Sequence, residues 1–310
     1  MRLISAFFTL LRLPNLLFIV LTQVVFQFCI YLPLYRHALP ADDFLRFSFL
    51  VIASVCIAAA GYVINDYFDI NIDEINKPGR MVVDRVINRR WAIAWHFIFN
   101  TLGLAFTILA LPVIEKWYLV LANLGCMALL WFYSTNFKKD LLIGNIVISL
   151  LTSWVILVVF FSKVTVQNAI DPGSFTQPKF FRIAFLYAGF AFICSLIREA
   201  VKDMEDIKGD ARYGSRSMPI AWGLNAAKVY VAVWMIVLIV LLVVLGIYIL
   251  QFRWWWLLAY ATGCILLPLL LLFRKLFSSG TPEDFHQLST GIKRVMLAGI
   301  LSMIFFYFYL

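Results

Sequence analysis

Apolar residues run along this chain in blocks too long and too continuous for a soluble fold. Nine blocks stand out, at about 14–35, 44–65, 91–111, 117–135, 141–162, 181–199, 227–250, 254–273 and 292–310, separated by short polar breaks or by two longer charged stretches. A helix of about 20 such residues matches a hydrocarbon core of roughly 30 Å. Backbone groups in lipid must find their hydrogen bonds within their own segment, so each block is predicted to be a transmembrane helix. The expected fold class is therefore all-α, a polytopic membrane bundle.

Composition agrees: 63% of the residues are hydrophobic and 14% charged, against about 45–50% and 25% in soluble domains. Nothing in the composition marks an internal boundary, so one domain spanning 1–310 is expected. The five cysteines fall within the apolar blocks without a CxxC spacing and read as packing residues. Arg2 and Arg12 precede a first block too long for a signal-peptide core, with no small-residue cleavage site, so no cleavable leader is expected.

The net charge of +9 resolves by side. About 19 of the 26 Lys and Arg lie at the N-terminus or around the breaks after blocks two, four, six and eight, and about 7 on the other side. The bias predicts a cytoplasmic N-terminus and an outer C-terminus; a bacterial or archaeal cell membrane is the expected setting. Trp254, Trp255 and Trp256 beside Arg253 fit an outer aromatic belt. Basic charge that serves topology and membrane lipids gives no reason to expect nucleic acid as a partner.

Two acidic rows then change the picture. Asp66, Asp69 and Asp73 in NDYFDINID and Asp203, Asp206 and Asp210 in DMEDIKGD share one spacing, i, i+3, i+7, at a constant offset of 137 residues. On a continuous helix, about 100° per residue would place each trio within roughly 60° of arc. Carboxylates are also unfavourable at the C-terminal end of a helix, where each row begins. Six acids in two rows repel one another unless cations lie between them. Hard divalent ions such as Mg²⁺ bind through carboxylates together with phosphate oxygens, so the rows read as two walls of a Mg²⁺–diphosphate site. Both rows follow even-numbered blocks and are expected on the cytoplasmic face.

Other polar groups surround the rows in sequence. Lys77 and Arg80 follow the first and Arg212 and Arg216 the second, fitting phosphate contacts or ordinary loop cations alike. Tyr133, Ser134, Asn136 and Lys138 end the fourth block and Gly144-Asn145 opens the fifth; Lys138 and Asn145 suit either a phosphate contact or a helix–helix hydrogen bond. Glu199 shares a helix face with Asp203, whereas Glu205 points elsewhere and is expected in solvent. His37, His96 and His286 have no metal spacing and receive no role.

These residues resemble a known family. Asn65-Asp66-x-x-Asp69-x-x-x-Asp73, Asn76-Lys77-Pro78-x-Arg80, Tyr133-Ser134 with Lys138, Gly144-Asn145, and Lys202-Asp203-x-x-Asp206-x-x-Gly209-Asp210 with Pro219 are similar to the motifs of the UbiA superfamily of intramembrane prenyltransferases, from Arg12-x-Pro14-Asn15 onward. The resemblance implies a nine-helix horseshoe bundle with a cytoplasmic cap over a central cavity that opens sideways to lipid. It implies transfer of a polyprenyl group from an allylic diphosphate donor to a lipophilic acceptor, with Mg²⁺ as cofactor. Asp66, Asp69, Asp203 and Asp206 would be catalytic, all six aspartates metal ligands, and Asn65, Lys77, Arg80, Tyr133, Lys138 and Asn145 diphosphate contacts. One departure is Arg80-Met81, where the family often has a proline after the arginine. The NIDEINKPGR and KDMEDIKGD segments look closest to digeranylgeranylglyceryl phosphate synthases, whose acceptor is a glycerol-phosphate ether. An aromatic acceptor such as 4-hydroxybenzoate is the alternative; a membrane terpene cyclase and an ion-coupled transporter lie outside the class.

Overall fold

A chain with this much continuous apolar sequence has few solutions other than helices, and the computed structural model is helical nearly throughout. It describes residues 2–35, 39–76, 82–84, 86–164 and 178–310. Among the described residues, nine helices are long and apolar enough to cross a membrane: Leu13–Tyr35, Asp43–Phe68, Arg89–Ala110, Val113–Thr135, Ile143–Lys163, Pro178–Glu205, Leu224–Leu250, Trp255–Ser278 and Pro282–Tyr309. The only β contact among them is an isolated bridge between Val83 and Ile87.

The ninth span corrects the sequence reading, which began it at 292. Its helix starts at Pro282 because Thr281 and Asp284 form a capping box: Thr281 Oγ1 accepts from Asp284 N at 3.2 Å, and Asp284 Oδ2 accepts from Thr281 N at 3.0 Å. The first turns carry Glu283, Asp284, His286 and Gln287, so hydropathy alone does not see them. The first and eighth spans each contain a π turn, Gln27–Tyr31 and Ala261–Leu266, just before Pro33 and Pro268. A wide turn there accommodates a residue that cannot donate a backbone hydrogen bond.

Residue contacts gather the chain into two compact units: 1–24, 35–138 and 155–181 in one, and 25–34, 139–154 and 182–310 in the other. In the first unit the second span packs on the third and fourth. Small residues permit the close approach. A Cβ on Gly61 would come within 2.8 Å of Leu130, and one on Gly103 within 2.8 Å of Ile57. Polar ties add direction: His96 Nδ1 donates to the Ala60 carbonyl at 2.9 Å, which leaves Nε2 to accept from Asn100 at 3.0 Å. Gln23, fully buried, donates to Ser54 Oγ (2.9 Å) and to the Val155 carbonyl (3.1 Å).

In the second unit the sixth and ninth spans run antiparallel, tied by Glu205 Oε1 with His286 Nδ1 at 2.9 Å near one end and Tyr187 Oη with Ser302 Oγ at 2.7 Å toward the other. The first of these ties corrects one expectation, since Glu205 pairs with His286 and is not a solvated acid. Between them the Phe190 ring lies on Gly299, where an added Cβ would sit 2.4 Å from Phe190 Cε1. Gly299→Ala is accordingly expected to destabilise the protein by about 1–3 kcal/mol, the usual cost of overpacking. Thermal unfolding in detergent measures it, and an unchanged midpoint would show that the ring moves aside without penalty.

Candidate active site

The two acidic rows share more than spacing. The second span ends at Phe68, Asp69 takes φ −87° and ψ 0°, and a short helix resumes over Ile70–Asn76. The sixth span ends at Glu205, Asp206 takes φ −97° and ψ 7°, and a short helix resumes over Ile207–Arg212. Neither row therefore lies on one continuous helix, as its spacing suggested; each is broken at its middle aspartate, in the sparsely populated bridge region. Hydrogen bonding still crosses each step, from Asp69 N to Asn65 O (2.9 Å) and from Asp206 N to Lys202 O (2.9 Å). A repeat in sequence is thus also a repeat in backbone conformation.

In the first row every inner carboxylate has a cation. Asp66 Oδ1 accepts from Arg12 Nη2 at 2.6 Å. Asp69, only 4% exposed, accepts through Oδ2 from Asn65 Nδ2 at 2.6 Å and from Lys138 Nζ. Lys138 thus belongs to the acid row, although its sequence position left a structural role equally open. Asp73 is half-buried on the short helix and Tyr133 half-buried at the end of the fourth span. Lys77 and Arg80 lie outside the described residues.

Arg12 was missed as a site residue. The helix Arg2–Leu10 buries Ala6 and Leu10 in a cluster with Ala59, Val63 and Ile70, which fixes the chain next to the end of the second span. Arg12 then turns the chain into the first span with φ +50°, a left-handed conformation that a non-glycine residue adopts at a cost. Its guanidinium lies 5.5 Å from the Tyr62 ring centre as well as on Asp66. Burial opposes its charge, but Asp66 outweighs burial and holds the guanidinium pKa above its ordinary value. The signal was an arginine just before the first span, in Arg12-x-Pro14-Asn15.

The second row is held by an amide. Asn145, buried at the start of the fifth span, donates Nδ2 to Asp203 Oδ2 at 2.8 Å. Its sequence position left two roles open, and the structure joins it to the acid. Asp206 is half-buried and Asp210 is 7% exposed. Glu199 bonds Arg198 (2.6 Å) and Lys202 (3.4 Å). Arg212 and Arg216 are exposed, and the backbone N–H of Arg216 donates to Lys139 O at 2.7 Å.

The donor chemistry suits a hard divalent ion. The acids offer carboxylate oxygens, and the buried Asn65 Oδ1 beside them has no hydrogen-bond partner among the described residues. A buried acceptor without a donor is unusual and fits an oxygen that meets a cation. Among the described residues no three His, Cys, Asp or Glu side chains already converge as a metal site. Positive charge on the first row comes instead from Arg12 and Lys138.

Comparison with known proteins follows the same lines. The UbiA prenyltransferase family matches residues 24–288. A digeranylgeranylglyceryl phosphate synthase of Pyrococcus horikoshii is 29% identical over 197 residues, covering 64% of this chain and 63% of the relative. One of Methanothermobacter thermautotrophicus is 33% identical over 198 residues, covering 62% and 63%. These matches thus span somewhat less than two thirds of the relatives' length. The solved structure of a UbiA homologue from Archaeoglobus fulgidus bound to DMAPP and Mg²⁺ superimposes with a TM-score of 0.60 at 17% identity, over 98% of this chain and 99% of that one; at that identity the likeness speaks for the fold. Nine apolar spans, two matching broken acid rows and a family match over most of the chain make this protein a member of the UbiA prenyltransferase family.

Proposed function

We propose that the protein transfers a polyprenyl group from an allylic diphosphate to a lipophilic acceptor, and that the acceptor is geranylgeranylglyceryl phosphate, as in ether-lipid synthesis. The observation that carries this reading is the pair of acid rows, alike in spacing and in the break at the middle aspartate, each held by protein donors rather than left to solvent. The names of the similar archaeal proteins favour the glycerol-phosphate ether over an aromatic acceptor. The chain acts as one domain in this proposal, with both rows on the cytoplasmic face.

Bound Mg²⁺ would supply the charge that makes diphosphate a leaving group. Asp66, Asp69, Asp203 and Asp206 would hold it, with Asp73 and Asp210 outside them. Lys138 and Arg12, already directed to the first row, donate to the diphosphate oxygens as the allylic C–O bond lengthens, and Lys77 and Arg80 are proposed to do the same. Asn65 and Asn145 orient the carboxylates through their side-chain N–H groups, and Tyr133 is assigned to the diphosphate with them. The allylic cation that forms is delocalised and apolar, and an aromatic, water-poor surrounding suits it until the acceptor hydroxyl attacks C1 and loses its proton.

The test uses purified protein in detergent, Mg²⁺ and radiolabelled geranylgeranyl diphosphate, with geranylgeranylglyceryl phosphate and 4-hydroxybenzoate offered in parallel. Label on the ether phosphate is expected, and EDTA should abolish its appearance. Label on the aromatic acid would overturn the acceptor. Diphosphate release without label on any acceptor would favour a cyclase.

A further inference from the structure

The offset of 137 residues that relates the two acid rows also relates their neighbours, and it pairs Phe68 with Glu205. Each is the last residue of its span before the middle aspartate. The two side chains differ in chemistry, yet each is fixed sideways to another span. The Phe68 ring stands edge-on to Trp131 of the fourth span, with ring centres 5.9 Å apart and planes at 90°. Glu205, its side chain 12% exposed, accepts through Oε1 from His286 Nδ1 of the ninth span at 2.9 Å. A carboxylate only accepts, so the ring nitrogen is the donor.

Such fixing matters because of the residue that follows. Asp69 and Asp206 both occupy the bridge region, and a residue persists there only where its surroundings over-determine it. The backbone ladder does not supply that constraint. Asp206 N bonds Lys202 O at 2.9 Å and Asp210 N bonds Asp206 O at 3.2 Å, a pattern that fits a continuing helix as well as a broken one. His286 is placed to supply it in the second row. Its helix starts from the Thr281–Asp284 capping box, and its neighbours Phe285 and Leu288 are buried in one apolar cluster with Val201 and Met204. Met204 and Glu205 thus hold the end of the sixth span by two successive side chains, one through packing and one through a charge-assisted hydrogen bond. Helical phase puts Asp203 on another face, so the tie draws the Glu205 carboxylate away from the row.

We propose that His286 is a positioning residue for the second acid row: by holding Glu205 it fixes the step at Asp206, and with it the direction in which Asp206 offers its carboxylate to a divalent ion. This rests on the reading of the rows as a Mg²⁺–diphosphate site, and the test separates the two. Equilibrium binding of radiolabelled geranylgeranyl diphosphate to the purified protein, acceptor absent, is measured over a series of Mg²⁺ concentrations. His286→Leu should raise the half-saturating Mg²⁺ concentration by about tenfold, as loss of a group that orients metal ligands does. Glu205→Ala cuts the same tie from the other side and should match it, which also covers a His286→Leu that does not fold. His286→Gln, whose amide N–H can donate to the same carboxylate, should restore most of the loss. Tyr187→Phe removes the other tie between the same two spans, with Ser302, and should leave the Mg²⁺ dependence as in wild type.

An unchanged Mg²⁺ dependence in His286→Leu or, should that variant not fold, in Glu205→Ala would overturn the assignment. So would a Tyr187→Phe that shifts it as far as His286→Leu, because the effect would then come from looser packing of the two spans. A His286→Gln no better than His286→Leu would take the effect away from the hydrogen bond, also against the proposal. Donor binding by wild type that ignores Mg²⁺ would remove the metal reading of the rows and this inference with it. The expected shifts in a protein that adds no prenyl group to geranylgeranylglyceryl phosphate would leave His286 its role and remove the proposed acceptor.

Discussion

Replacing Asp69 or Asp206 by alanine is expected to lower turnover at least about a hundredfold while leaving a folded protein, because each change removes an oxygen donor at the break of an acid row. The two variants differ in what they leave behind. Asp69→Ala also releases the Asn65 amide and Lys138, which the native carboxylate holds together through one oxygen. Lys138 then keeps its charge while the carboxylate that paired with it is gone, so added Mg²⁺ should not rescue the variant. Asp69→Asn keeps the shape but not the charge and should fall nearly as far. Steady-state turnover at saturating Mg²⁺, with circular dichroism to check folding, measures both, and near-normal rates in Asp69→Ala and Asp206→Ala would sink the proposed role of the rows.

Why the acids were legible from sequence and their surroundings were not follows from the range of the interactions. Charge in an apolar chain is conspicuous, and a spacing repeated at a fixed offset needs no tertiary information. The break at Asp69 and Asp206 is different. Spacing of i, i+3, i+7 fits a continuous helix and a stepped one equally well, and only the dihedral angles distinguish them. Short acidic side chains compete with the backbone for hydrogen bonds and so favour such interruptions, but propensity does not say where one occurs.

Partners distant in sequence were harder still. Arg12 reaches Asp66 across 54 residues and Lys138 reaches Asp69 across 69. The first contact depends on a short helix packing its apolar face beside the second span, the second on the turn after the fourth span. Asn145 was read with two roles open because a polar residue near a span end says nothing of its neighbour, here Asp203 at 58 residues. Glu205 illustrates the converse: helical phase placed it away from Asp203, and the sequence could not reveal that His286 stands on that side.

The remaining large effect concerns stability rather than chemistry. Asp43 and Lys163 pair at 2.7 Å with both side chains 6% exposed, joining the start of the second span to the end of the fifth. Lys163 Nζ also lies 5.6 Å from the centre of the Phe47 ring. Nearby, Lys116 donates to the Phe161 and Ser162 carbonyls, the last acceptors of the fifth helix, where a cation complements the helix dipole. Removing one member of a buried ion pair strands the other. Asp43→Ala is therefore expected to destabilise the protein by about 3–5 kcal/mol, measured by denaturant or thermal unfolding in detergent. Changing both residues, Asp43→Ala with Lys163→Met, removes the stranded charge and keeps an unbranched side chain against Phe47, so most of that loss should return. The single variant unfolding like wild type would mean that water reaches the pair; a double variant no better than the single would place the cost in lost packing around Asp43 rather than in the unpaired ammonium.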